Sequence, residues 1–125
     1  LAVAKFVQKH PKIAWVNYPG LEGDKYHDLA QKYMPKGTCG VVTFGVKGGR
    51  KAAETFMAGL KLASIATHVA DAKTCVLHPA SSTHRQLSEA ELAAAGVSAD
   101  LIRLSVGIED ITDILADLEQ ALDQV

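Results

Sequence analysis

The sequence predicts one domain of the α/β (α+β) class, with a small, mostly antiparallel sheet of about four strands and helices packed mainly on one face. The first observation is length, because 125 residues suffice for one domain with a core but not for two. The second is patterning, since short apolar or β-branched runs alternate with amphipathic helical segments. The third is that two connections are long and irregular, which favours antiparallel pairing over a doubly wound parallel sheet.

The N-terminal half begins with a helical pattern. Residues 1–9 carry no N-cap signal before them, so we expect them to be the end of a connecting helix in a longer chain. His10-Pro11 breaks the helical pattern. The elements expected next are a strand at Ile13–Val16, a helix at Asp24–Tyr33, a strand at Cys39–Val46 and a helix from Gly48-Gly49 to about Leu62.

Two strands and two helices are expected in the C-terminal half. Ser88 and Glu91 have the spacing of a capping box, which predicts a short helix that Gly96 ends. The remaining elements are strands at Thr74–Leu77 and Leu101–Val106 and a helix at Asp110–Leu122. The buried stripe of that last helix is expected to contain Ile111, Ile114, Leu115, Leu118 and Leu122.

Composition excludes several kinds of partner. The formal net charge is −1, so the chain lacks the basic surplus typical of nucleic-acid binding, and we expect no nucleic-acid partner. No apolar run reaches the length of a membrane span, and we expect no membrane partner. Cys39 and Cys75 each lie in an apolar, strand-like run, which favours two reduced thiols and a cytoplasmic location.

Arg103 is the most informative residue of the sequence, because it interrupts an otherwise apolar strand. Alternation places it with Leu101 and Ser105 on one face and places Ile102 and Leu104 on the other, core-like face. A guanidinium is always charged, and burying one without an anion costs several kcal/mol or more, so Arg103 is expected to meet an anion. The pattern alone leaves two sources for that anion. It could be a carboxylate or phosphate of a ligand, or an acidic side chain of the chain itself, of which the candidates are Asp71, Glu109 and Asp110.

Two other groups of residues have possible binding functions, each with a simpler interpretation. Cys75, His78 and His84 are ligand types that suit zinc, but their spacing matches no standard zinc pattern, so a strand cysteine and two loop histidines are favoured. The segment Gly45–Arg50 precedes a helix as phosphate cradles do. It lacks the P-loop and dinucleotide-binding spacings, and a glycine turn is the favoured interpretation.

Two further pairs could perform proton transfer. The segment His78–His84 is rich in hydroxyl groups and could hold a Ser/His nucleophile pair, although a polar loop over the sheet end, near a ligand, is favoured. His68 and Asp71 could form an acid/base pair, or simply a hydrogen bond within a loop.

Several of these segments together resemble one known family, the Cys/Met-metabolism enzymes that use pyridoxal phosphate, and do so over the whole chain. The segments that carry the resemblance, in register, are Trp15–Leu21, Thr67–Thr74, His78–His84 and Ile102–Asp110. The family includes cystathionine γ-synthase, cystathionine lyases, methionine γ-lyase and O-acetylhomoserine sulfhydrylase. Three further segments look most like the last of these, namely Tyr26–Tyr33, Pro35–Val41 and Thr83–Glu89.

The resemblance implies substrate-binding roles for two residues. In the family, the arginine of the motif that reads Arg103-Leu-Ser-Val-Gly-Ile-Glu109 here binds the α-carboxylate of the amino-acid substrate. His68 stands where related enzymes often have Ser or Asn in the same carboxylate pocket, and Ala70 stands where they have Gly. The contact from position 68 is therefore expected through its side chain or its backbone.

The resemblance also implies what the chain would be part of. Residues 1–125 would form the C-terminal, substrate-carboxylate-binding domain of a cytoplasmic enzyme, and no lysine here matches the family's Schiff-base lysine. Pyridoxal phosphate would be bound by an upstream domain, and this piece alone would be inactive. The expected reaction replaces the acetate of O-acetylhomoserine with sulfide or a thiol, in a homotetramer. A γ-synthase, a γ-lyase or a non-catalytic carboxylate-binding module are the alternatives.

Overall fold

The computed structural model describes all 125 residues. Its helices are α1 (Ala2–Lys9), α2 (His27–Tyr33), α3 (Gly49–Gly59), α4 (Glu89–Ala94) and α5 (Ile111–Leu122), with a 3₁₀ turn at Pro79–Ser81. Its strands are β1 (Ile13–Asn17), β2 (Val41–Val46), β3 (Ser64–Ile65), β4 (Cys75–Leu77) and β5 (Leu101–Ser105). None of the helices combines the length and the apolar character that a membrane span requires.

The five strands form a single mixed sheet in the order β1-β2-β5-β4-β3. Three of its pairings are antiparallel and the fourth, between β3 and β4, is parallel. The prediction of a mostly antiparallel sheet is confirmed, but the number of strands is five rather than about four. The additional strand is Ser64–Ile65, and two residues are too few to show the alternation that marks a strand in a sequence.

The hydrophobic core lies between one face of the sheet and helices α1, α3 and α5. Phe44 of β2 meets Phe56 of α3 edge to face, with ring centroids 5.8 Å apart. Ile102 and Leu104 of β5 are completely buried on the same face, as their alternation with Arg103 predicted. Removing such a side chain from water contributes about 1.5–3 kcal/mol, so this face dominates the stability of the domain.

Helix α2 begins later than the sequence predicted, at His27 rather than Asp24. The Asp24 carboxylate accepts hydrogen bonds from the backbone N–H groups of Tyr18 and Tyr26, at 3.1 and 2.9 Å. Because these bonds satisfy the backbone locally, they favour a non-helical turn here and delay the start of the helix. The predicted capping box of α4 is confirmed, with Ser88 and Glu91 bonded reciprocally.

One predicted burial and one predicted strand boundary, the start of β2 at Cys39, were wrong. Ile111 is 40% exposed, because it occupies the first turn of α5, where the helix has only begun to pack on the sheet. Cys39 lies outside β2 and is exposed, whereas Cys75 is buried in β4, and both thiols are free.

Asp117 is a buried acid that hydrophobic patterning did not reveal. It lies on α5 with 7% of its surface exposed and accepts hydrogen bonds from three consecutive backbone N–H groups just after α3. The donors are Lys61, Leu62 and Ala63, at 2.8, 3.0 and 2.9 Å. Because these N–H groups donate to Asp117, they do not donate to carbonyl groups within the helix. The helix α3 therefore ends at Gly59, before the predicted end near Leu62.

Candidate functional site

Arg103 lies in the middle of β5, paired with Thr43 of β2 on one side and Leu77 of β4 on the other. Directly paired residues of antiparallel strands project to the same face, so these side chains lie on the face opposite the core helices. The guanidinium Nη2 donates to the backbone carbonyl of Thr67, in the loop between β3 and β4, at 2.7 Å. The predicted placement of Arg103 away from the core face is confirmed.

Arg103 makes no ion pair with any acidic side chain of the chain. The three acids considered as its partners are bonded instead within their own surroundings. Asp71, Glu109 and Asp110 contact, respectively, His68, Thr74 and Thr112. The geometry therefore contradicts the interpretation of Arg103 as one half of an internal salt bridge.

The Arg103 guanidinium keeps donors that no group of the chain uses. Its Nε is buried without a hydrogen-bond partner, and Nη1 makes no hydrogen bond within the chain. Leaving a buried donor without an acceptor costs about 1–3 kcal/mol, and more when the group is charged. A planar fork with free N–H groups is suited to a carboxylate, which it binds through two parallel hydrogen bonds. The arrangement is that of an anion-binding residue.

His68 lies in the loop whose carbonyl Arg103 contacts, one residue after Thr67. Its Nδ1 lies 3.4 Å from Oδ2 of Asp71, and 70% of the His68 side chain is exposed. The predicted His–Asp pair therefore exists, in the loop that Arg103 contacts through Thr67, and it is open to solvent. The pKa of Asp71 is lowered, mainly by the hydrogen bond that its carboxylate accepts from the backbone N–H of Lys73 and also by His68. Asp71 therefore stays ionised beside the imidazole.

Ala70 is the one non-glycine residue with a positive φ, at 58°. This left-handed conformation costs a residue with a Cβ about 1–2 kcal/mol, which glycine avoids. We expect the Ala70→Gly variant to be more stable by about 0.5–1 kcal/mol, because the gain exceeds the entropy that glycine loses on folding. Urea unfolding measures the change. The control is Ala72→Gly, at a nearby exposed alanine without positive φ, which should destabilise. Equal destabilisation by both variants would contradict the argument.

Glu109 holds Thr74, the residue just before β4, through two hydrogen bonds. Its Oε1 accepts from the backbone N–H of Thr74 and its Oε2 from Thr74 Oγ1, both at 2.7 Å, while the backbone N–H of Gly107 donates to the same Oγ1. A Cβ on Gly107 would collide with the carbonyl of Ala72 and with the Glu109 carboxylate, so only glycine fits there. Burial acts to raise the pKa of Glu109, but the hydrogen bonds from Thr74 outweigh it and hold the pKa below its ordinary value of 4.5.

Stability should therefore fall on acidification. A carboxylate whose pKa is depressed by folding stabilises the native state above its unfolded pKa, here 4.5, and this contribution is lost as the pH falls through the lower, folded value. We expect Glu109→Gln to be less stable at neutral pH and to lose less stability than the unaltered chain between about pH 5 and pH 2. Urea midpoints across that range measure it, with the exposed Glu22→Gln as control. Parallel pH curves for Glu109→Gln and the unaltered chain would reject the assignment.

The other candidate ligands from the sequence have protein partners. The Cys75 thiol lies 3.3 Å from the carbonyl of Lys73, and no three His, Cys, Asp or Glu residues are grouped as a metal site would require. In the glycine segment, Lys47 donates to the carbonyl of Pro11, and Arg50 pairs with Glu89 at 2.8 Å. The two cations that a phosphate cradle would use are thus bound within the chain.

A Ser/His pair does form in the segment after β4. Nδ1 of His78 lies 2.7 Å from Oγ of Ser81, and Nε2 lies 2.8 Å from the carbonyl of Ala99. His78 is only 2% exposed, and both of its ring nitrogens are satisfied within the chain. The pair consequently ties the 3₁₀ turn to the segment before β5, which is a structural function.

Sequence reasoning missed two contributors to the site. The carbonyl of Thr67 orients Arg103, and Oγ of Ser105 accepts a hydrogen bond from the backbone N–H of Ala70. A contact made by a backbone carbonyl cannot be recognised from the residue type. Ser105 could have been identified from the sequence, because a polar residue on the same strand face as Arg103 lies near the groups that the arginine contacts.

The fold and the site define a class of protein, an α/β domain whose sheet carries an arginine fork without an acidic partner inside the chain. Residues 1–123 match the sequence model of the family described as Cys/Met metabolism PLP-dependent enzyme. The chain belongs to this family.

Curated relatives support the match along the whole chain. It is 52% identical over 126 residues to an O-acetyl-L-homoserine sulfhydrylase of Leptospira meyeri, covering 100% of this chain and 28% of the relative. It is 52% identical to a homocysteine synthase of Schizosaccharomyces pombe and 46% identical to an L-methionine gamma-lyase of Fusobacterium nucleatum, covering 98% of this chain in each case. The last two relatives are covered over 28% and 31% of their lengths, so the chain spans under a third of each.

A solved structure shows the same fold. It is a putative O-acetylhomoserine (thiol)-lyase from Campylobacter jejuni, with a TM-score of 0.88 and 42% identity, covering 97% of this chain and 29% of that one. It contains N'-pyridoxyl-lysine-5'-monophosphate at its position 205, outside the part that this chain matches. On the face around Arg103, this chain offers a guanidinium with an unpartnered Nε, which suits an anionic group and cannot form the Schiff base of the cofactor.

Proposed function

We propose that this chain is the substrate-carboxylate-binding domain of a pyridoxal-phosphate-dependent enzyme that acts on O-acetyl-L-homoserine. The enzyme would replace acetate with sulfide or a thiol and so form homocysteine or methionine. The observation that carries the proposal is the Arg103 fork, which has no acidic partner within the chain. Two relatives at 52% identity, a sulfhydrylase and a homocysteine synthase, support the choice of reaction.

In this function, Arg103 holds the α-carboxylate of the amino acid through two N–H groups. The Thr67 carbonyl takes one N–H of the five in the guanidinium and so limits its rotation. Fixing the carboxylate fixes the position of Cα, and good orientation of the reacting atoms removes much of the entropic barrier. His68, the residue after Thr67, would border the same space and contact the carboxylate through its imidazole or its backbone N–H. The cofactor, held by residues outside this chain, supplies an electron sink when it is bound.

The remaining parts of the proposal concern the whole enzyme. We propose that residues 1–125 act together with a preceding cofactor domain, that residues 1–9 continue the helix joining the two, and that the enzyme is a cytoplasmic homotetramer. The chain on its own would then be inactive. Sedimentation of the complete enzyme tests the tetramer directly.

The proposal is tested with a hybrid holoenzyme, in which this chain replaces the matching segment of the Leptospira meyeri relative. Pyridoxal phosphate is added and homocysteine formation from O-acetyl-L-homoserine and sulfide is measured. The expected result is activity within about tenfold of that of the intact relative, with none from the isolated chain. The unaltered relative and a hybrid carrying Arg103→Ala serve as controls. A folded, cofactor-loaded hybrid with no activity would reject the proposal.

A γ-lyase is the second candidate, favoured by the 46% identity to an L-methionine gamma-lyase. The same hybrid distinguishes the two reactions, because the lyase would consume methionine without a sulfur donor. A non-catalytic carboxylate-binding module is the third candidate. Calorimetric titration of the isolated chain with amino acids tests it, since such a module would bind tightly without a cofactor domain.

A further inference from the structure

Two side chains of β5 hold the same loop. Arg103 contacts the carbonyl of Thr67, and Ser105, two residues further along the same face, accepts a hydrogen bond from the backbone N–H of Ala70 at 3.0 Å. Between Thr67 and Ala70, these are the hydrogen bonds that join the loop to the sheet. The loop segment that contains His68 is therefore fixed at both ends from a single strand.

The conformation at Ala70 depends on this attachment. An alanine at φ 58° is strained, and strained backbone persists only where the surrounding structure enforces it. The Ser105 hydroxyl is well suited to enforce it, because the residue is 1% exposed and sits between Val41 of β2 and Cys75 of β4 in the centre of the sheet. Without that acceptor, the Ala70 N–H would lose its partner and the strain would relax.

We propose that Ser105 is a positioning residue for substrate binding. Its Oγ holds Ala70, which keeps the Thr67 carbonyl where it orients Arg103 and keeps His68 at the edge of the carboxylate site. Ser105 is too deeply buried to touch substrate itself, so it acts through the loop and the arginine. This inference rests on the proposed function and adds to it a residue that determines how tightly the amino acid is held.

The test uses three variants of the hybrid holoenzyme and one variant as a reference. Ser105→Ala removes the acceptor, Ser105→Thr keeps it, and Ser64→Ala changes a serine of β3, at the edge of the same sheet, whose side chain makes no hydrogen bond. Arg103→Ala is the reference for the site. We expect Ser105→Ala to raise KM for O-acetyl-L-homoserine about tenfold, the size of one lost hydrogen bond, with kcat changed less than about twofold. Ser105→Thr and Ser64→Ala should remain near the unaltered KM.

Amide hydrogen exchange in the hybrid holoenzyme gives a readout that does not depend on catalysis. Ser105→Ala should speed exchange at the Ala70 amide while core amides such as that of Leu104 stay protected. Partial unfolding would instead lower kcat and leave KM unchanged, because the folded fraction would still bind normally.

The outcomes separate the two claims. An unchanged KM in Arg103→Ala would reject the proposed function. A raised KM in Arg103→Ala with an unchanged KM in Ser105→Ala would overturn the inference about Ser105 alone. An effect of Ser105→Ala on kcat alone, or no rescue by Ser105→Thr when that variant folds normally, would assign Ser105 a purely structural function and overturn the inference as well.

Discussion

Replacing Arg103 with alanine in the hybrid holoenzyme is expected to raise KM for O-acetyl-L-homoserine by about 100-fold or more. The reason is that a two-pronged, charge-assisted contact is lost, and truncating one partner of such a pair costs about 2–5 kcal/mol. The structure supports a large effect, since no acid of the chain competes for the fork. Steady-state kinetics measure it, together with the inhibition constant of a simple amino acid that carries the same α-carboxylate.

Two companion variants make the Arg103 result specific. Arg103→Lys keeps the charge but not the planar fork, so it should restore only part of the affinity. Arg85→Ala removes another arginine, which is exposed and whose side chain makes no ion pair or hydrogen bond, and it should leave KM unchanged. A substrate role for Arg103 would be abandoned if Arg103→Ala and Arg85→Ala behaved alike.

Replacing Asp117 with alanine is expected to destabilise the chain by about 3 kcal/mol or more. The change leaves the backbone N–H groups of Lys61, Leu62 and Ala63 without their acceptor in a largely buried place, and each unsatisfied buried donor costs about 1–3 kcal/mol. It would also release the connection between α3 and β3 from α5. Urea unfolding followed through Trp15, the single tryptophan, measures the free energy of unfolding.

A graded series separates the Asp117 hydrogen bonds from side-chain volume. Asp117→Asn keeps one acceptor oxygen and nearly the same shape, so it should destabilise by roughly half as much. Asp123→Ala, at an exposed acid just after α5, is the control and should change stability by less than about 0.5 kcal/mol. A change of that small size in Asp117→Ala would show that these hydrogen bonds do not stabilise the domain.

The core side of the fold was predictable because burial is periodic. Alternation along β5 identified Ile102 and Leu104 as core and Arg103 as facing away, and spacing along α5 identified Leu118 and Leu122 as buried. The same reasoning failed at Ile111, because the periodicity of a helix does not say where along its length the helix meets the sheet.

At Asp117 the hydrophobic pattern fails in the opposite way, because it predicts an exposed residue where the structure has a buried one. An acid within the buried stripe of α5 looks like a solvent-facing residue until its three backbone donors are known, and these come from a segment more than 50 residues away. The same holds for the two-residue strand β3, which exists because its backbone pairs with β4 and not because of its own side chains.

The amino-acid pattern by itself determined the α/β class, the order of most elements, the core face of the sheet and the importance of Arg103. These follow from local periodicity and from the cost of burying a charge, both of which a linear sequence contains. Only the tertiary structure showed that Asp71, Glu109 and Asp110 do not pair with Arg103. It also showed that the Thr67 carbonyl contacts Arg103 and that Ser105 holds the same loop. Which donor bonds to which acceptor depends on distances and angles between groups that are far apart in the sequence. Only folding brings those groups together.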